Sequence, residues 1–300
     1  MKYAINREFG IFRYFCPPVS KPLLKVANPT LSALPKGMNS SKSLEISKRK
    51  IPCSDGEAIN AFVIRPKNQD GAQSAILYLH GGGFVIKAAP HHYKLAKQYA
   101  LKTHSTVIFV DYRLAFDTPY GTTLQDCVDA YRYVSENGEK LKVDTGNITI
   151  AGDSAGGYLC LALVDRCKEL GMPLPKKQML VYPVVDPEMS TESMKEFPDT
   201  PMWNAKRNGK MWAIYAKGHD AYNPLRAELS YLPTTYVEIA EFDCLRDEGK
   251  LLASKLAESG VECVLNETKG TMHGFDICLS APTSVAAIEK RIAFLTNKIN

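Results

Sequence analysis

Three side-chain types that together turn a hydroxyl into a nucleophile, a serine, a carboxylate and a histidine, lie here beyond separate predicted strands. The serine is Ser154, inside Gly152-Asp153-Ser154-Ala155-Gly156-Gly157. The β-branched run Ile148-Thr149-Ile150-Ala151 precedes it. Tyr158-Leu159-Cys160-Leu161-Ala162-Leu163-Val164 follows and is apolar on every face, as in a buried helix. Gly-x-Ser-x-Gly between a strand and a helix is the context of a nucleophile elbow. Such a turn strains the serine's backbone, and Gly152 and Gly156 remove side chains that would collide across it. The helix that begins there points free N–H groups and a positive dipole end at the reacting atom.

His80-Gly81-Gly82-Gly83 follows the apolar run Ala75 to Leu79. Three successive glycines cost backbone entropy, and an oxyanion hole is a structural reason to bear that cost. The N–H groups of Gly82 and Gly83 are the expected donors, with Ala155 N–H as the third; His80 reads as an anchor for the loop. Asp243 comes directly after a predicted strand and is the expected partner of a histidine. Asp247 is the alternative, although its place in the first helical turn also suits capping. Of the six histidines, His273 lies in a loop after the final strand, whereas His91 and His92 open a helix, His104 precedes a strand and His219 lies in an inserted segment. Ser154, Asp243 and His273 come in the chain order that a hydrolase with strands delivering these loops to one edge requires.

The elements around these loops alternate. Leu44–Ser47 and Ala58–Arg65 read as a hairpin across Ser54-Asp55-Gly56, followed by a loop from Pro66 to Gln73. Ala75–Leu79, Val107–Val110, Met179–Tyr182 with Val184-Val185, Tyr236–Ala240 and Val261–Leu265 read as further strands. Helices are expected over His92–Lys102, Leu124–Val134, Gly249–Glu258 and Val285–Leu295. The third of these presents Leu251, Leu252, Leu256 and Ala257 as its apolar side. This alternation predicts an α/β fold with a mostly parallel central sheet and helices on both faces. Ligands in such sheets bind beyond the strands' carboxyl ends. Two stretches break the rhythm. Residues 1–42 mix helix and loop and are interrupted by Pro17, Pro18, Pro22, Pro29 and Pro35, and residues 186–224 are polar and rich in Met and Trp. The expected organisation is one domain, with a core of 43–185 and 225–300.

As a set, His80-Gly81-Gly82-Gly83-Phe84, Asp111-Tyr112-Arg113-Leu114-Ala115, Gly152 to Gly157, Asp243 to Glu248 and His273-Gly274-Phe275 resemble the hormone-sensitive-lipase family of α/β-hydrolases, which includes many microbial esterases. The resemblance spans about two thirds of the chain in order. It implies catalytic Ser154, Asp243 and His273, an oxyanion hole from the glycine loop, and a helical cap made of 1–42 and 186–224. Two departures stand out. Phe116-Asp117-Thr118-Pro119-Tyr120-Gly121 replaces the family's usual Pro-Glu and later prolines, and Cys244 replaces the proline that usually follows the catalytic aspartate.

The expected activity is hydrolysis of short- to medium-chain acyl esters through an acyl-enzyme, with no cofactor and no metal. The alternatives are deacetylation of an amide or acetylated sugar, and a non-catalytic small-molecule receptor on the same fold; such receptors often lose the histidine that is present here as His273. A peptidase reading lacks a second domain to sieve peptides.

The net charge of +5 is spread along 300 residues, and the one dense basic run, Lys48-Arg49-Lys50, suits a solvated strand edge better than nucleic acid. Eight cysteines without a Cys-x-x-Cys pair read as free thiols in a reducing, cytoplasmic setting. No signal peptide and no apolar run of ~18 residues is evident. The first residues carry Phe9, Ile11, Phe12, Tyr14, Phe15, Leu23, Leu24 and Leu31, which suit a helix over an apolar pocket or a lipid surface. A small-molecule ester is the expected partner, nucleic acid is not, and the oligomeric state stays open, with a homodimer as one option.

Overall fold

The computed structural model describes residues 2–17, 19–34, 37–67, 69 and 71–298. Among them, eight strands form one sheet: β1 (Leu44–Pro52), β2 (Ala58–Pro66), β3 (Gln73–Leu79), β4 (Thr106–Asp111), β5 (Val143–Asp153), β6 (Lys177–Val181), β7 (Thr234–Phe242) and β8 (Cys263–Met272). Their order is β1-β2-β4-β3-β5-β6-β7-β8. β2 runs antiparallel to β1 and β4, and every other pairing is parallel. The sheet is therefore the mostly parallel one expected from the alternation.

Burial explains the uninterrupted apolar strands. In β3, Ile76 and Tyr78 enter one core layer while Ala75, Leu77 and Leu79 enter the other. The Ile76 side packs beneath α2 (Pro90–Thr103) and α9 (Pro282–Leu295). The Leu77 side packs beneath α3 (Thr122–Glu136), α5 (Ala155–Glu169) and α8 (Arg246–Glu258). With both faces covered, a strand gains nothing from a polar alternate position. The edge strand β1 is the contrast: Lys48, Arg49 and Lys50 are exposed along it.

Three expectations need correction. Pro22 and Pro29 do not break the N-terminal segment, because α1 (Lys21–Ala33) runs through both. Pro22 sits in the first turn, where its missing N–H has no partner to lose, and tertiary contacts at Leu24 and Asn28 offset the cost of Pro29. Pro18 and Pro35 lie outside the described residues, as does part of the Pro66–Gln73 loop. Val184-Val185 does not extend β6, because Tyr182 adopts φ +36° and Pro183 follows. On α8, Leu251 and Ala257 face solvent, and the buried stripe is Gly249, Leu252, Ala253 and Leu256. That stripe keeps the three- and four-residue spacing of a single helical face.

The segment 186–224 contributes the short α6 (Glu192–Glu196) and α7 (Ala205–Ala216). It lies with α1 over the carboxyl edge of the sheet, where residues of both line one cavity. Ahead of α1, a 3-10 stretch over Arg7–Arg13 buries Phe9 against Phe275, ring centroids 6.0 Å apart. Phe9 is therefore core, while Ile11, Tyr14 and Leu23 stay exposed. All eight cysteines are free thiols. No helix among the described residues is long and apolar enough to cross a membrane.

Candidate active site

Ser154 stands alone between β5 and α5, with φ +55° and ψ −120°. The two flanking glycines are required by contact distance. A Cβ on Gly152 would lie 2.3 Å from Gly156 O, and one on Gly156 would lie 2.0 Å from Leu79 O. The strain is held by hydrogen bonds on both sides. Ser154 N–H donates to Val181 O at 2.8 Å, and Ser154 O accepts from Gly157 N–H and Val184 N–H at 2.9 and 3.1 Å. The turn is thus locked to the neighbouring strand and to its own helix.

The other two residues come to meet it. Asp243 follows β7 directly and His273 follows β8 directly. His273 Nε2 lies 2.8 Å from Ser154 Oγ, and its Nδ1 lies 2.7 Å from Asp243 Oδ2. All three are buried. Asp243 Oδ1 also accepts from Leu245 N–H at 3.0 Å, which fixes the carboxylate plane. A carboxylate on Nδ1 leaves Nε2 free to accept a proton from the serine. The alternative acid, Asp247, points elsewhere: its Oδ2 accepts Ser193 N–H at 2.9 Å and its Oδ1 pairs with Arg246 at 2.8 Å. It ties α8 to the 186–224 segment.

The glycine loop turns back on itself. Gly82 and Gly83 both have positive φ, +120° and +60°, and Gly82 O accepts from Val85 and Ile86 N–H. Among the described residues no main-chain or side-chain acceptor takes Gly82 N–H, Gly83 N–H or Ala155 N–H. A Cβ on Gly83 would come within 2.7 Å of the Trp203 ring, so the 186–224 segment closes directly over the loop. His80 anchors it as expected. Its Nδ1 lies 2.6 Å from Gly81 O, its ring stacks on Tyr112 at 4.3 Å, and Tyr112 Oη donates to His80 O at 2.5 Å. Burial, then His92, pushes the His80 imidazole down to about 4, so it is neutral near pH 7.

Three supports escaped the sequence. Asp153, next to the serine, accepts from Gly81 N–H at 3.0 Å, Tyr78 Oη at 2.9 Å and His92 Nε2 at 3.2 Å. It bonds the elbow to the glycine loop and to α2. Burial alone would raise its carboxyl, but His92 and Tyr78 outweigh that and hold it below the usual carboxylate range. A charged residue at the end of the buried, β-branched run Ile148-Thr149-Ile150-Ala151 was the available signal. Asn28 of α1 is the second: its amide donates to Val85 O at 2.8 Å and its Oδ1 accepts Lys87 N–H at 3.0 Å. Nothing local marks it, because its partners lie nearly sixty residues away. The third is Tyr182, whose ring packs 4.7 Å from His273 and whose hydroxyl donates to Asp276 at 2.6 Å.

These groups border a cavity of about 430 Å³, within the usual range for a small-molecule site. α1 contributes Leu24, Ala27 and Leu31; Met202 and Trp203 face them. Among the described residues no cluster of three or more His, Cys, Asp or Glu is arranged to hold a metal ion.

Known proteins resemble this chain along most of its length. A family model described as the alpha/beta hydrolase fold matches residues 76–277, a span from β3 to just past His273. The chain is 35% identical over 218 residues to Esterase LipI of Mycobacterium tuberculosis (strain ATCC 25618 / H37Rv), covering 70% of this chain and 68% of that protein. It is 31% identical over 235 residues to Carboxylesterase NlhH of the same strain, covering 75% and 74%. Among solved structures, a bacterial heroin esterase superposes with a TM-score of 0.89 at 28% identity, covering 99% of this chain and 98% of that one. Elbow, glycine loop, acid and histidine all fall on a chain that matches named esterases over most of its length, and the chain belongs to the hormone-sensitive-lipase-like family of α/β-hydrolases, as a serine carboxylic-ester hydrolase.

Proposed function

We propose that Ser154, His273 and Asp243 act as nucleophile, general base and orienting acid in hydrolysis of short- to medium-chain acyl esters. The observation that carries this reading is the unbroken relay of 2.8 and 2.7 Å from Ser154 Oγ through His273 to Asp243. His273 Nε2 takes the serine proton as Oγ attacks the ester carbonyl. Gly82, Gly83 and Ala155 N–H receive the developing oxyanion, a role supported by their lack of other acceptors among the described residues. His273 then gives its proton to the departing alcohol. Water enters, loses a proton to His273 and attacks the acyl-enzyme; the proton returns to Ser154 Oγ as the acid leaves. Residues 1–42 and 186–224 form the cap, and the apolar wall they share limits the acyl group to what about 430 Å³ accommodates.

Mass mapping after reaction with an alkyl fluorophosphonate tests the nucleophile. One adduct per chain, on the peptide carrying Ser154, is expected, and an adduct on another serine would overturn the assignment. A series of p-nitrophenyl esters from acetyl to palmitoyl tests the cavity. kcat/KM should peak at short or medium length, and a maximum at the long end would rule out the capped pocket.

Asn28 extends this reading from the loop to α1. Asn28→Ala removes two hydrogen bonds that hold Val85 and Lys87, and it should lower kcat about tenfold. If Asn28 steadies the oxyanion loop, the loss is equal for acetyl and hexanoyl esters. A loss confined to the longer ester would make α1 only a wall of the pocket.

A further inference from the structure

His91 sits in the first turn of α2 and lines the same cavity as Ser154. Every other polar side chain on that wall has a protein partner. Thr30 donates to Val26 O, Lys87 to Asp111, Trp203 to Asn208 and Tyr182 to Asp276, while His92 meets Asp153. Ser154, His273 and Asp153 are joined in the bonds described above. Neither ring nitrogen of His91 has a hydrogen bond among the described residues. Nδ1 is buried outright; Nε2 is not, and it is the nitrogen left to meet a ligand. The ring is steadied by packing on His92, centroids 3.9 Å apart.

Burial and then His92 push this imidazole down to about 3, so near neutral pH it offers one N–H donor and one lone pair. A ring nitrogen on the cavity wall that no protein group takes asks for an explanation. A second base does not supply one, since the relay already ends on His273 and, among the described residues, His91 has no hydrogen bond to any member of it. A ligand oxygen does.

We infer that His91 reads a second oxygen on the substrate, so that the preferred esters carry a hydroxyl or carbonyl group beyond the scissile ester. This rests on the reading of Ser154 as the nucleophile. A hydroxyl fits either tautomer, because it can donate or accept; a carbonyl fits the N–H form. The rest of the wall, with Leu24, Leu31, Ile86 and Ile277, then takes the hydrocarbon part.

Two matched pairs test the inference: ethyl 3-hydroxybutyrate against ethyl butyrate for the acyl side, and 2-hydroxyethyl butyrate against propyl butyrate for the alcohol side. In a pH-stat, kcat/KM of the unaltered protein should favour the oxygenated member of one pair about tenfold or more. His91→Phe should bring that ratio close to one, and His91→Gln should restore part of it. A ratio that stays the same in His91→Phe overturns the inference, as does the absence of preference in both pairs for the unaltered protein, a result that needs no variant to fold. If the unaltered protein turned over none of the four esters and took up no phosphonate at Ser154, the nucleophile reading itself would fail, and this inference with it.

Discussion

Alanine at position 154 is expected to lower kcat for p-nitrophenyl butyrate by about 10⁴-fold or more, with little change in thermal stability. The two halves of this expectation have separate grounds. Among the described residues Ser154 Oγ makes one hydrogen bond, to His273 Nε2, and that is the bond the proposed reaction uses. The side chain is buried, so no water takes its place as an equally positioned nucleophile. The backbone, by contrast, keeps its constraints. Positive φ at this position is held by Val181 O, Gly157 N–H and Val184 N–H, and alanine retains a Cβ like that of serine. Folding therefore tolerates the change while chemistry does not. Turnover within tenfold of the unaltered protein would remove Ser154 from the mechanism.

The partners should fail with it rather than in addition to it. Asp243→Asn keeps the shape but replaces the acceptor at His273 Nδ1, so the imidazole loses the tautomer in which Nε2 accepts a proton. A loss on the order of 10⁴-fold accompanies such a change in comparable relays. A Ser154→Ala, Asp243→Asn double variant should be no slower than Ser154→Ala alone, because the three groups act as one unit.

Most of this relay was legible because each part is announced locally. Ser154 is flanked by a β-branched strand and an apolar helix; Asp243 and His273 stand immediately beyond strands; and three glycines mark the loop. Parallel strands all deliver their carboxyl ends to one edge, so local marks were enough to gather distant residues. What was not legible depends on long-range contact. Asp153 looks like a spacer in Gly-x-Ser-x-Gly, yet it carries three hydrogen bonds that join β5, the glycine loop and α2. Asn28 lies in a proline-interrupted stretch that read as broken, and its value comes from Val85 and Lys87. By residue type Leu251 belongs to the apolar side of α8, whereas the stripe that meets the sheet runs through Gly249, Leu252 and Leu256; a Cβ on Gly249 would lie 2.6 Å from Ile239. Hydrophobicity marks what can be buried, and only packing decides which of two adjacent leucines is.

Arg291 is the second position where a large effect is expected, and here stability is the first readout. Its guanidinium is buried between Glu238 at 2.5 Å and Asp276 at 2.6 Å. Arg291→Met preserves much of the volume but leaves two buried carboxylates without a counter-charge, a change worth about 3–5 kcal/mol. In a chain of this size that lowers Tm by on the order of 5–10 °C. The pH dependence has a definite sign. Burial pushes the Asp276 carboxyl up, but Arg291 and the Tyr182 hydroxyl outweigh it, and the group lies below its ordinary value. A depressed carboxylate contributes stability above its unfolded pKa and loses that contribution as pH falls through the folded value. Without Arg291 the carboxyl is no longer held down and the penalty is for charge, so the gap to the unaltered protein should be widest near pH 7.5 and narrow towards pH 5. Calorimetry at both pH values checks this, and an equal Tm gap at the two would mean that lost packing, not charge, is the cause. Activity follows by a short path. Asp276 holds the Tyr182 hydroxyl, Tyr182 packs on His273, and Glu238 O accepts Tyr182 N–H at 2.6 Å. Arg291→Met should therefore lower kcat at temperatures well below its own Tm, while Arg291→Met combined with Glu238→Leu and Asp276→Leu should recover stability without recovering kcat, since the hydrophobic trio fills the space but no longer orients Tyr182 against the histidine.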